Sequence, residues 1–260
     1  MSSWRALADE LDRWAGEGRV ATLWWRDDDA ARLVPKLERL FALRRHARVP
    51  LAMAVIPATV AEETVAAFES ADQVDVLQHG YAHRNHAPLG ERKSELGAGR
   101  STAMALAELT AGRRRLGALF GARVLDVLVP PWNRISVALV NRLGATGFTG
   151  ISAYGPRTCV RPASGLRQVN THVDIIDWHA TRGFIGDGEA LAMAVRHLRA
   201  RRAHTADGDE PTGLLSHHQE HDEAAWAFIA AFLEATSMHP GARWMSAGDL
   251  FAAQSRQPAP

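Results

Sequence analysis

Carboxylates and imidazoles crowd into three short stretches of this chain. The first is Arg26-Asp27-Asp28-Asp29, directly after the apolar run Ala21 to Trp25. Three adjacent carboxylates repel one another, and burying one is costly unless it is paired or bound to a metal. The plainer reading of this stretch is an exposed acidic turn that caps the next helix. The second stretch is Gln78-His79-Gly80-Tyr81-Ala82-His83-Arg84-Asn85-His86. Histidines at i and i+4 would share one face of a helical turn, so two imidazoles could reach one ion. His86, at i+7, is a further candidate ligand, with a loop histidine the plainer reading. The third is Leu214-Leu215-Ser216-His217-His218-Gln219-Glu220-His221-Asp222; together the second and third stretches hold six of the twelve histidines. Two further groups follow apolar runs, Val129-Pro130-Pro131-Trp132-Asn133 and Asp174-Ile175-Ile176-Asp177-Trp178-His179. In the first of these, consecutive prolines would stop a sheet ladder and fix a loop.

The elements that must position these residues alternate. Strand candidates are Ala21 to Trp25, Leu51 to Ile56, Val74 to Leu77, Leu125 to Val129, Phe148 to Ser152, Arg167 to Asp174 and Gly213 to Ser216. Helical patterns lie between them: Val34 to His46, Val60 to Ala71, Ser101 to Phe120, Ser136 to Gly144, Glu189 to Arg202 and Asp222 to Thr236. Apolar strands alternating with helices predict a parallel sheet covered by helices. Seven strands in 260 residues fit a barrel better than a long open sheet. The polar clusters then sit at strand C-terminal ends, where such folds place their sites. Gly80 to Gly99 and Tyr154 to Gly165 read as loops, the first a long functional one. A helix is expected within residues 1–18, where Trp4, Leu7, Leu11 and Trp14 repeat at helical spacing behind Ser3, and the tail Gln254 to Pro260 is expected to be disordered.

Composition narrows the function classes. Net charge is +1 and the thirty basic residues are spread along the chain, so nothing argues for a nucleic-acid partner. Cys159 is the only cysteine, which excludes an intrachain disulfide. No run approaches the roughly 18 apolar residues of a membrane span, and the first ten residues hold no apolar signal-like segment, so the expected location is the cytoplasm. No G-x-S-x-G elbow, G-x-G-x-x-G or Walker sequence is present.

Taken in order, the acidic pair, HxxxH, Pro-Trp loop, Asp-x-x-Asp-Trp and Leu-x-His resemble the five successive motifs of the polysaccharide deacetylase family (carbohydrate esterase family 4). Those motifs usually read T-F-D-D-G, H-[ST]-x-x-H, R-x-P-[YW]-G, D-x-x-D-W and L-x-H, and here they run from residue 25 to residue 217. The resemblance implies a single catalytic domain over residues 1–260, folded as a distorted (β/α) barrel of about seven parallel strands. It also implies one divalent ion and hydrolysis of an amide C–N bond, with de-N-acetylation of a saccharide the leading expectation. Zinc is the first choice of ion; cobalt, nickel, iron and manganese suit the same ligands.

In the family the first Asp of the pair is the general base and the second a metal ligand. Two registers are open, Asp27-Asp28 and Asp28-Asp29. The second is preferred, because Ala30 then takes the family's Gly position and Pro35 leads into the next helix. By resemblance Asp28 is the base, and Asp29, His79 and His83 hold the ion, with Gly80 replacing the family's Ser or Thr. Pro131 and Trp132 match a groove wall, Asp174 the acid that orients the catalytic histidine (Asp177 being the other candidate), Trp178 and Leu215 the acyl pocket, and His217 the general acid. The family's Arg is Val129 here, so Arg26 is expected to supply the missing charge beside the base. Those departures leave two rivals: hydrolysis of another linear or cyclic amide such as a ureide or imide, and a carbohydrate-binding relative without turnover. The substrate is expected to be a small molecule or saccharide; oligomeric state is not readable.

Overall fold

A computed structural model describes residues 3–252. The N-terminal helix α1 spans Trp4–Gly16, with the Ser3 hydroxyl accepting from the Ala6 N–H at its start. The expected disordered tail, Gln254 to Pro260, lies outside the described residues. The strands are β1 (Ala21–Ala30), β2 (Leu51–Val55), β3 (Val74–His79), β4 (Val124–Val129), β5 (Gly150–Ile151), β6 (Arg167–Gln168), β7 (Val173–Asp174), β8 (Thr212–Ser216) and β9 (Ala242–Trp244). Helices α2 (Pro35–Ala47), α3 (Glu62–Glu69), α4 (Thr102–Phe120), α5 (Val137–Leu143), α6 (Asp187–Arg202), α7 (Glu223–Ser237) and α8 (Ala247–Ala252) lie between or after them. Their starts follow local chemistry. Pro35 occupies the first turn of α2, where a missing N–H costs nothing, and Ser101, Ser136 and Asp222 cap α4, α5 and α7 through side-chain oxygens.

The strands form one parallel sheet in the order β6-β5-β4-β3-β2-β1-β8-β7, with β9 joined to β1. This is the curled, distorted barrel expected, with nine strands rather than about seven. The expected strand Arg167 to Asp174 is two: β6 pairs with β5 at one end of the sheet and β7 with β8 at the other. The four residues between them carry the chain across the seam, so covalent connection, rather than a ladder between β6 and β7, joins the two ends. No described helix is long and apolar enough to cross a membrane.

Alternation along the strands sorts side chains to two cores. Trp24, Ala52, Ala54, Leu77, Val127, Val129 and Val169 fill the barrel interior, and Ala247, Leu250 and Phe251 of α8 close its floor. Trp25, Met53, Val55, Val76 and Leu214 face outward into the larger core beneath α1, α2, α3, α6 and α7. A filled interior leaves the mouth at the C-terminal strand ends as the place where polar side chains can gather.

Candidate active site

β1 delivers the acidic run. Pleating turns Arg26 and Asp28 inward with Trp24, and Asp27 outward with Trp25. Asp29 would therefore point outward, but the register of β1 against β2 slips between Asp27 and Ala30, and Asp29 has φ +69°. An irregularity of this kind re-aims a side chain, and it brings Asp29 to the same mouth as Asp28. Arg26 and Asp28 are both buried and paired through two parallel hydrogen bonds, Nε to Oδ1 at 2.8 Å and Nη2 to Oδ2 at 2.9 Å. Arg26 also donates to Ser152 Oγ, Ala153 O and Asn133 Oδ1. The acidic stretch is thus no exposed turn.

β3 delivers the histidines, and not by a helical turn as their spacing suggests. His79 is the last residue of the strand, and Gly80 and His83 both take left-handed φ of +53°. These two reversals curl a short loop so that His83 returns towards His79. His79 Nε2 lies 2.9 Å and His83 Nε2 3.3 Å from Asp29 Oδ1. Among the described residues the donors converging here are Asp29, His79 and His83, and His86 is outside the group.

The protonation pattern tests whether an ion fits. His79 Nδ1 is 3.1 Å from the Val129 carbonyl, which can only accept, so Nδ1 carries the ring proton. In the neutral ring Nε2 then presents a lone pair to a carboxylate oxygen that is buried and has no other hydrogen-bond partner among the described residues. Two acceptors face to face need a positive centre between them, either a second ring proton or a metal ion. Without the ion, burial opposes charge on His79, but the Asp29 carboxylate favours the proton and pushes the ring up; a divalent ion would take that proton's place. Ligands about a tetrahedral zinc with bonds of roughly 2.0–2.1 Å stand about 3.3 Å apart, close to the separations found. The Val129 carbonyl fixes the tautomer as an outer-sphere partner should. Burial opposes charge on Asp29, but the hydrogen bond and charge of His79, with the charges of His217 and His83, hold its carboxyl well below the usual carboxylate range, so it stays an anionic ligand. Burial and the neighbouring His79 push His83 down, keeping it neutral and ligand-ready.

β4 ends in the Pro-Trp turn, where Trp132 and Asn133 have φ of +55° and +56°. The Trp132 ring stacks obliquely on His83 at 4.3 Å, and Pro131 is buried against Gly80. Among the described residues, four of the eight non-glycine residues with positive φ (Asp29, His83, Trp132 and Asn133) thus border one mouth, the clustering of strain expected where geometry is functional.

β7 and β8 complete the rim. His217 follows β8, its ring edge-on to Trp178 at 4.6 Å, with Nδ1 buried and unpartnered. Asp174 accepts from Trp178 Nε1 at 2.9 Å and interacts with the His217 charge; burial leads in pushing its carboxyl up. Asp177 is instead half-buried and accepts from the N–H groups of His179, Ala180 and Thr181, forming a local turn. Leu215 is buried, paired in register with Arg26 and Asp174. His218 points away: its Nδ1 meets Asp27 Oδ1 at 2.5 Å and its N–H donates to Asp27 Oδ2, which also accepts from Ser216. Sequence reasoning missed Asn133 and Ser152 as Arg26 partners, and Glu95, which accepts from the N–H groups of Tyr81 and Ala82. Glu95 stands twelve residues beyond His83 in an aperiodic loop, where no spacing rule could find it.

No protein-family model and no curated protein matches the chain. Solved structures do. A Mycobacterium smegmatis protein described as a polysaccharide deacetylase is 16% identical, with a TM-score of 0.66 over 91% of this chain and 92% of that one. A family 4 carbohydrate esterase from Streptomyces lividans, in complex with acetate, is 14% identical at a TM-score of 0.55, covering 86% and 91%. A family 4 acetyl xylan esterase from Clostridium thermocellum, in complex with cobalt, is 13% identical at 0.53, covering 89% and 91%. Near end-to-end coverage at such low identity speaks for architecture, and on it the chain has the fold of the polysaccharide deacetylases and family 4 carbohydrate esterases.

Proposed function

We propose that this protein is a metal-dependent hydrolase of amide C–N bonds that removes the N-acetyl group of a saccharide. The observation that carries the reading is the convergence of Asp29 Oδ1, His79 Nε2 and His83 Nε2 on one point at the mouth of the barrel. Zinc is the ion we assign first. A divalent ion held there would polarise the acyl carbonyl and acidify water, with positions left open because the described residues supply three ligands. Asp28, held rigid by the Arg26 fork, takes a proton from the attacking water. His217, flanked by Asp174 and Trp178, gives a proton to the departing amine, which is a poor leaving group unless protonated. Trp178 and Leu215 wall the space for the acyl methyl, and Pro131 and Trp132 form the opposite wall. The structural relatives that carry acetate and cobalt are consistent with both parts of the reading.

The test combines elemental analysis of the purified protein with acetate release from N-acetylglucosamine oligomers. We expect close to one divalent ion per chain, acetate release that stops on chelation and returns with zinc or cobalt, and loss of both ion and activity in Asp29→Asn. Absence of ion binding after zinc or cobalt addition overturns the proposal. Ion binding with turnover of a cyclic ureide, and none of N-acetyl sugars, moves the substrate to the rival class.

A further inference from the structure

We infer that Glu95 is a positioning residue for the metal centre, taking the place of a hydroxyl at position 80 and adding the negative charge that the ligand set lacks. The inference rests on the metal reading above. Glu95 is fully buried in the long loop between β3 and α4. Its Oε1 accepts from Ala82 N at 2.8 Å and its Oε2 from Tyr81 N at 3.1 Å. Those two amides lie between His79 and His83, so the carboxylate fixes the curl that returns His83 to Asp29.

Gly80 is the other half of the device. A Cβ at Gly80 would overlap the Glu95 carboxylate and the Pro131 ring, and its φ of +53° disfavours a side chain independently. No Ser or Thr fits there while Glu95 is in place. The loop bearing Glu95 is itself tied to the segment after the Pro-Trp turn. Ser136 N donates to Leu96 O at 2.8 Å, and the Arg134 guanidinium donates to Lys93 O at 2.8 Å. The carboxylate is therefore delivered from a fixed platform.

Charge gives the second reason for a carboxylate here. Asp29 offers one negative charge and the two imidazoles none, while Asp28 is already balanced by Arg26. A divalent ion would be left with an excess positive charge in a largely buried site. The hydrogen bonds that Glu95 accepts among the described residues come from neutral amides rather than from a cation. Outer-sphere partners of this kind typically change metal affinity by about 10–100-fold.

Glu95→Gln keeps the shape, removes the charge and turns an amide donor towards a main-chain N–H. We expect zinc affinity, read by competition with a chromogenic chelator, to fall by about 10–100-fold, and the visible spectrum of the cobalt-loaded protein to change. Glu95→Asp, which keeps the charge but withdraws it by one methylene, should fall between. If the wild type binds no zinc or cobalt, the metal reading fails and this inference with it. If the wild type binds and Glu95→Gln binds equally tightly with the same cobalt spectrum, only this inference fails. Amide hydrogen exchange on the metal-free wild type gives a check independent of how the variants fold. Tyr81 and Ala82 should be protected there, and exchange at unstructured rates would overturn the assignment.

Discussion

Arg26 and Asp28 are two opposite charges taken wholly out of water, an arrangement that survives only with good geometry and further hydrogen bonds. Both conditions are met. The guanidinium makes a two-point contact with the carboxylate, and its remaining donors go to Ser152, Ala153 and Asn133. Residues two apart on a strand share a face, so the pair is local, whereas the family's arginine would approach from position 129. Arg26→Lys keeps a charge but cannot form the fork. We expect its ion content to be unchanged and its turnover to fall by about 10–100-fold, the range general-base positioning supports. Unaltered turnover would remove Arg26 from the reaction. Arg26→Ala is a poorer probe, because an orphaned buried carboxylate costs about 3–5 kcal/mol. His217 makes a complementary prediction: His217→Ala should keep its ion and lose turnover by about 100-fold or more, measured on protein of confirmed metal content. Near-full turnover would strip His217 of the acid role.

At the level of elements, the mouth is assembled by the ends of β1, β3, β4, β7 and β8, and what the sequence discloses depends on how regular each end is. Long apolar runs announced β1 to β4 and β8, and the polar residues immediately after them announced the site. Spacing failed where the backbone leaves regular φ/ψ. HxxxH reads as a helical pair, yet the convergence comes from left-handed residues at 80 and 83. The Asp28-Asp29 register was preferred on motif grounds alone, since pleating by itself sends Asp29 outward; only the register slip in β1 turns it in. β9 and α8, three and six residues long, are too short to show a period. Asp27 has a part that the motif resemblance did not disclose. It ties β1 to the turn after β8 by accepting from Ser216 Oγ at 2.6 Å and His218 N at 3.0 Å, which holds the neighbouring His217 in place. Asp27→Asn presents an amide donor where only donors arrive, so we expect a loss of about 1–3 kcal/mol in urea unfolding and reduced turnover with ion content intact. Unchanged stability would show that the turn is fixed by other contacts.

Across the whole molecule the weak line is the seam between β6 and β7, which a buried polar cluster holds shut. Glu210 accepts from Asn170 N and Arg157 N, and Gly213 N donates to His172 Nδ1. His172, His197 and Glu210 are the second place where three metal-ligating side chains meet, but their geometry differs from that at the mouth. The two imidazoles stack face to face at 3.4 Å and 14°, so their lone pairs run parallel, and the charges of Glu210 and Arg201 already interact. The cluster is better suited to tying the seam than to holding an ion, and it makes stability depend on pH. Burial first, then the charges of His172 and Arg201, push His197 down to about 2. In the unfolded chain the same ring titrates near pH 6.5, at about its unperturbed value. Between those values the unfolded state binds one more proton than the folded state, so stability is complete above about pH 7 and falls on acidification by about 1.4 kcal/mol per pH unit for this residue. His197→Gln removes that proton. In urea unfolding between pH 6 and 4, with chelator present so that metal release adds nothing, the variant should lose stability less steeply than the wild type by about 1 kcal/mol per pH unit. Its absolute stability will be lower, because a buried side chain has changed; only the slopes are compared. Parallel slopes would mean that the imidazole is protonated in the folded protein, and the seam would then owe its acid sensitivity to other groups.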